Sequence, residues 1–160
     1  MSSKAHFTVD TRLAVLLGET YRSSEQALKE LVDNAWDADA EKVEITLPAP
    51  MTDDPILVAD TGSGMTGKEV ESEYLAVAND RRTRKGELTP KLHRRVKGRK
   101  GIGKFAGLMV AATMRLTTRA RSVETTFELV KEDLVRAGAD LERIPSKWER
   151  QSARPDHTVR

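Results

Sequence analysis

Cysteine is absent from the chain, which excludes a disulfide scaffold, a thiolate zinc site and a cysteine nucleophile together. Histidine is scarce: His6, His93 and His157 lie far apart and offer no histidine metal cluster. Aromatic residues make up only 4% of the sequence. No run approaches the roughly 18 apolar residues of a membrane helix, and the N-terminus lacks the apolar core of a signal peptide. The expectation is a cytoplasmic protein without a membrane partner. What is there is an ordinary soluble composition, 38% hydrophobic and 32% charged over 160 residues. That length suits one domain that buries roughly 70% of its unfolded surface.

The net charge of +2 conceals a local imbalance. Residues 81–104 carry eleven Lys and Arg against the single acid Glu87, and the rest of the chain is left at −8. A +10 segment repels itself unless an anion or an acidic surface neutralises it. A solvated loop would tolerate such a run; so would a segment built to meet phosphate. No aromatic lies within 81–104, so base stacking there has no support.

Periodicity supplies the elements. Ser23 and Gln26 fit a capping box, and Ala27, Leu28, Leu31, Val32, Ala35 and Trp36 recur at helical spacing, predicting a helix over about 24–37. Val43, Ile45 and Leu47 alternate as in a strand. The apolar run Ile56–Ala59, ending at Asp60, predicts a short buried strand. Thr66 and Glu69 form a second capping box, opening a helix through Val70, Tyr74, Leu75 and Val77. No period holds over 79–100, which reads as a long mobile loop, and Ile102–Ala112 is apolar nearly all round, as in a buried helix. Met114, Leu116 and Thr118, then Val123, Thr125, Phe127 and Leu129, alternate as two strands of a hairpin. A short helix follows over about 131–138, and the last fifteen residues are polar and uncommitted. Interleaved helices and strands with adjacent late strands point to an α+β sandwich with a mixed, mostly antiparallel sheet.

Three stretches carry chemistry. Glu30, Asp33, Asn34 and Asp37 fall at i, i+3, i+4 and i+7, on one helix face. Hard oxygen donors of this kind suit Mg²⁺, which takes few protein ligands and completes its shell with phosphate and water; a solvated acidic face is the plainer alternative. Asp60-Thr61-Gly62-Ser63-Gly64-Met65 follows a strand, where a carboxylate beside two glycines could meet an exocyclic amine, or form only a strand-to-helix turn. Gly98-Arg99-Lys100-Gly101-Ile102-Gly103-Lys104-Phe105 opens the apolar helix as a phosphate cradle would. It is not a P-loop, because Phe105 stands where the Mg²⁺-binding hydroxyl belongs and no buried strand precedes it.

Taken together and in this order, these stretches resemble the GHKL ATPase superfamily of gyrase B subunits, ninety-kilodalton heat-shock chaperones, histidine kinases and MutL. The style is closest to the gyrase/MutL/MORC-like branch. Glu30–Ala38 is similar to its N box, Asp60–Met65 to its first glycine box and Gly98–Gly103 to its second, the whole covering about residues 20–120. The resemblance implies a two-layer Bergerat-type sandwich with the helices on one face, binding ATP and Mg²⁺. It implies Glu30 as the general base, Asn34 on the metal, Asp60 on the adenine amine with Gly64 and Met65 against the base, and Thr118 joining Asp60 through water. Gly101 and Gly103 would offer N–H groups to phosphates and Lys104 a further contact, with Asp37, Gly62, Gly98 and Ile102 completing the nucleotide-binding set.

Residues 79–100 would be the ATP lid, its charge neutralised by a triphosphate of about −4. The implied activity is slow hydrolysis that drives lid closure and homodimerisation as a conformational switch. Relatives of this kind usually add a γ-phosphate contact from a downstream domain, so the chain is expected to be part of a longer protein or to need a partner protein. Two alternatives stay open: a histidine-kinase-like catalytic domain, and a nucleotide- or nucleic-acid-binding module, acting through the basic lid, without turnover.

Overall fold

The computed structural model describes residues 24–74, 86–98, 103–137 and 147–152. The first helix, α1 (Ser24–Asp37), appears where the periodicity puts it, although Ser23, its expected cap, lies outside the described residues. Strands β1 (Val43–Thr46) and β2 (Leu57–Asp60) pair antiparallel, with Val43 opposite Asp60 and Thr46 opposite Leu57. They make a two-stranded sheet of their own. β2 is therefore not the buried strand that its apolar run predicts: Leu57 is 54% exposed and Leu47, just past β1, is 62% exposed. An apolar run reports affinity for a neighbour, not how many neighbours the strand obtains.

Thr66 caps α2 (Gly67–Glu69) with a complete capping box: Glu69 N–H donates to Thr66 Oγ1, and Thr66 N–H donates to Glu69 Oε2 at 2.7 Å. The expected helix then widens into a π-turn over Val70–Tyr74, and Leu75 and Val77 lie outside the described residues. The single helix expected over 102–112 is instead a 3₁₀ turn (Gly103–Phe105) followed by the one-turn α3 (Gly107–Val110). Gly103 and Gly107 weaken α-helix formation, and at Gly107 the Met114 thioether occupies the space of a side chain, 2.8 Å from a built Cβ.

β3 (Thr113–Ala120) and β4 (Val123–Val130) form the expected hairpin, followed by α4 (Lys131–Ala137). A third strand, β5 (Lys147–Ser152), pairs antiparallel with β4 and places Trp148 opposite Phe127. It falls in the tail that showed no pattern. The architecture is α+β, and every strand pairing among the described residues is antiparallel. Phe105, Leu108, Phe127, Leu129, Leu134 and Val70 are fully buried and form the core between the short helices and β4. Among the described residues no helix is long and apolar enough to cross a membrane.

The β3–β4 turn gives a first prediction. Arg121 and Ser122 both have positive φ, 50° and 61°, as the tight hairpin turn requires, yet neither is glycine. Ser122→Gly is expected to stabilise the protein by about 1 kcal/mol, raising the urea midpoint without changing the slope; an unchanged midpoint would mean that this turn carries no strain.

Candidate functional site

The acidic face of α1 is not solvated. Asp33 and Asp37 are among its buried residues, while Trp36, which the periodicity assigns to the apolar face, is 36% exposed. The reason is the segment 86–98, which docks on the end of this helix instead of behaving as a featureless loop. Leu88 and Arg95 form a β-bridge, Thr89 N–H donates to the Arg94 carbonyl at 2.8 Å, and Val96 N–H donates to the Glu87 carbonyl at 2.9 Å. These bonds close a small hairpin around Pro90–His93. Within the expected lid, 86–98 forms this hairpin; residues 79–85, 99 and 100 lie outside the described residues.

Two buried carboxylates hold that hairpin. Asp37 Oδ1 accepts from Lys97 N–H and Oδ2 from Gly98 N–H, each at 2.8 Å. Asp39, at φ 60° just beyond the helix, accepts from Lys91 N–H at 2.8 Å and Leu92 N–H at 3.1 Å. Arg94 donates to the Ala40 carbonyl and lies 4.5 Å from the Trp36 ring centre; Lys97 lies 4.7 Å from it and pairs with Asp33 at 3.0 Å. Trp36 Nε1 donates to the Arg95 carbonyl. Part of the basic segment's charge is therefore neutralised by α1 itself.

The carboxyl shifts follow from these contacts. Burial pushes the Asp33 carboxyl up, but hydrogen bonds from Lys29 and Lys97, with their charges, outweigh it and hold the group below its ordinary 3.8. Burial likewise opposes ionisation of Asp39, and the Thr89 hydroxyl, the Lys91 and Leu92 amides and the Arg94 charge together hold it below 3.8.

Glu30 and Asn34, one turn apart on the same helix, stand differently. Neither side chain has a hydrogen bond or ion pair within the described residues, and both are half-buried. Gly103 lies directly against Glu30: a Cβ built there would fall 2.1 Å from Glu30 Oε2. Gly98 at Asp37 and Gly103 at Glu30 thus meet the acidic face of α1 at positions seven residues apart along the helix. Gly101 and Ile102 lie outside the described residues. Lys104, expected on phosphate, places its ammonium 5.7 Å and 5.6 Å from the Tyr74 and Phe105 ring centres. Tyr74 donates its hydroxyl to the Lys104 carbonyl, and burial raises its phenol above the ordinary value.

The first glycine-rich turn is brought to the same end of α1. Ser63 N–H donates to the Ala38 carbonyl at 2.8 Å, and Thr61 Oγ1 accepts from the Glu41 and Lys42 amides. Asp60 Oδ1 accepts from Gly62 N–H at 2.7 Å, leaving its other oxygen unpaired among the described residues. Gly64, at φ +63°, passes so close to β3 that a Cβ would fall 2.0 Å from the Arg119 carbonyl oxygen. Next to it, Met65 N–H donates to Thr118 Oγ1 at 2.9 Å. Opposite Thr118 on β4 stands Thr125, a buried hydroxyl without a partner among the described residues. Such an orphan costs about 1–3 kcal/mol unless a ligand edge or water meets it. Thr125 was not singled out because its alternation marks only a strand; the pairing with Thr118 appears only with the register.

The donor set fits a nucleotide with a divalent cation better than a protein-built metal cage. No cluster of three His, Cys, Asp or Glu that could hold a metal occurs among the described residues. Asn34 can supply one neutral oxygen, as Mg²⁺ bound largely by phosphate and water requires.

The described residues form an α+β domain in which Glu30 and Asn34 keep unpaired polar atoms on α1, beside Gly103. The family model for histidine kinase-, DNA gyrase B- and HSP90-like ATPases matches residues 21–157, and the chain belongs to that family. Membership implies ATP binding and hydrolysis. Among curated proteins, the chain is 32% identical over 106 residues to a putative type II restriction enzyme, HgiDII, of Herpetosiphon aurantiacus, covering 66% of this chain and 16% of that protein. It is 27% identical over 150 residues to the chaperone protein HtpG of Bacillus licheniformis, covering 79% of this chain and 23% of that one. The chain spans less than a quarter of the length of these relatives.

Proposed function

We propose that this chain is a Mg²⁺-dependent ATP switch: it binds ATP between the acidic face of α1, the Asp60–Met65 turn and the Gly98–Gly103 stretch, and hydrolyses it slowly. The observation that carries this reading is the selective pairing along α1. Asp33 and Asp37 are taken by the docked hairpin, whereas Glu30 and Asn34 keep unpaired polar atoms one turn apart. An unpaired, half-buried carboxylate can take a proton from water, and a neutral amide beside it can hold a cation without competing for that proton.

Glu30 is then the general base, Asn34 the metal contact, and Asp60 the acceptor for the adenine amine, with Gly64, Met65 and Thr118 around the base. The Mg²⁺ ion, when bound, offsets phosphate charge, and the rest of the chemistry is positioning. Water as acceptor favours this reading over a histidine-kinase-like transfer, because the kinase reaction has no need of a base where Glu30 stands. Lid closure and homodimerisation on ATP complete the switch. A chaperone and a putative restriction enzyme share the domain, so the process driven belongs to the longer proteins in which it sits.

Titration calorimetry with a non-hydrolysable ATP analogue, with and without Mg²⁺ and beside the GTP analogue, tests the assignment. Asp60→Asn should weaken adenine-nucleotide binding by about tenfold or more, because an amide can present a donor to the adenine amine where an acceptor is needed. Equal binding by wild type and variant would remove Asp60 from the base pocket. Binding indifferent to Mg²⁺ would remove Asn34 from the metal.

A further inference from the structure

We propose that Gly103 is a positioning residue for hydrolysis: its missing side chain reserves the seat of the Glu30 carboxylate. This rests on the assignment of Glu30 as base and goes beyond it, because the resemblance assigns Gly103 to the phosphates. A phosphate contact through backbone N–H does not by itself require a glycine, since alanine keeps the same N–H. Backbone conformation does not explain it either. The described glycines with positive φ are Gly64 and Gly86, and Gly103 sits in a 3₁₀ turn that any residue can adopt.

What remains is space, and the protein atoms nearest to that space belong to one residue. The three atoms nearest a Cβ at Gly103 are Glu30 Oε2 at 2.1 Å, Glu30 Cδ at 3.2 Å and Glu30 Cβ at 3.5 Å. Gly98 offers the contrast. A Cβ there would meet Asp37 Oδ2 at 2.9 Å, but that carboxylate is fixed by two backbone N–H groups and is held independently of the vacant side chain. Glu30 has no such tether within the described residues. The end of its side chain occupies the space that a Cβ at Gly103 would take, so a methyl group there displaces the base first. The displaced atom is the far end of a flexible side chain, which makes the change cheap for folding and expensive for catalysis.

The test is a cycle of Gly103→Ala, Glu30→Ala and the double variant in the full chain, read by ATP turnover, by affinity for a non-hydrolysable ATP analogue and by the carboxyl ¹³C resonance of Glu30, assigned through its loss in Glu30→Gln. Displacing a catalytic group by about 1 Å can cost about 100-fold. Gly103→Ala should therefore lose turnover on that scale and keep analogue affinity within about threefold. In the Glu30→Ala background the methyl group has room, and the double variant should turn over no more slowly than Glu30→Ala. The Glu30 resonance should shift in Gly103→Ala. The proposal is overturned if Gly103→Ala loses affinity as much as turnover, if the two losses multiply, or if the resonance stays in place. Should Glu30→Ala hydrolyse ATP like wild type, the base assignment fails, and the resonance alone then decides whether Gly103 seats this carboxylate.

Discussion

Glu30→Gln is expected to lower ATP turnover by about 10²–10⁴-fold, the usual contribution of a positioned general base, while nucleotide still binds. The substitution keeps shape and size and removes only the capacity to accept a proton. The carboxylate has no hydrogen bond or ion pair among the described residues, so its loss breaks no internal network and should not unfold the helix. Removing a negative charge beside a triphosphate should, if anything, tighten the analogue. Single-turnover kinetics with saturating ATP, beside equilibrium binding of the analogue, separate the two effects: a slow variant that binds well lacks a transition-state interaction, and one that binds poorly lacks a ground-state one. A variant as fast as wild type would end the case for Glu30 as base.

Much of this site was readable because it is local. The i, i+3, i+4, i+7 spacing places Glu30 and Asn34 on one face of α1, and the alternation around Met114–Thr118 gives the strand that carries Thr118. The Thr66–Glu69 box reports its own helix start. What stayed hidden depends on distant partners. Nothing near Asp37 says that its two oxygens will each receive an amide sixty or so residues away, so it read as a nucleotide ligand. Asp39 belongs to none of the three chemical stretches, although an aspartate just past a helix end can accept backbone N–H bonds. The hairpin inside 79–100 is hidden by its own charge: only Leu88, Leu92 and Val96 are apolar among its described positions, too few for a period. β5 was missed for a related reason, an edge strand of largely charged and polar residues whose only strong apolar signal is Trp148.

The docked hairpin leads to the second large effect. Asp37 is 3% exposed, and Asp37→Ala leaves the Lys97 and Gly98 amides without their acceptor. Hydrogen bonds to an ionised group contribute about 1.5–3 kcal/mol each, so the variant should lose about 3 kcal/mol or more, a large share of an ordinary domain's stability. Asp37→Asn keeps one acceptor oxygen and should lose about half as much. Acid should act on the same docking through Asp33 and Asp39. Both carboxyls are lowered in the folded protein, so their contribution is complete above the ordinary value of 3.8 and is lost as pH falls through the lower folded values. Hydrogen exchange at Lys91, Leu92, Lys97 and Gly98 reads the docking directly. Trp36 fluorescence reads it too, because Arg94 and Lys97 lie over its ring and its Nε1 donates into the hairpin. Protection of the Lys91 and Leu92 amides should fall below about pH 3.8, and Asp39→Asn should weaken that protection already at neutral pH. If Asp37→Ala kept the Lys97 and Gly98 amides protected and left the Trp36 emission unchanged, Asp37 would not be what joins the hairpin to α1.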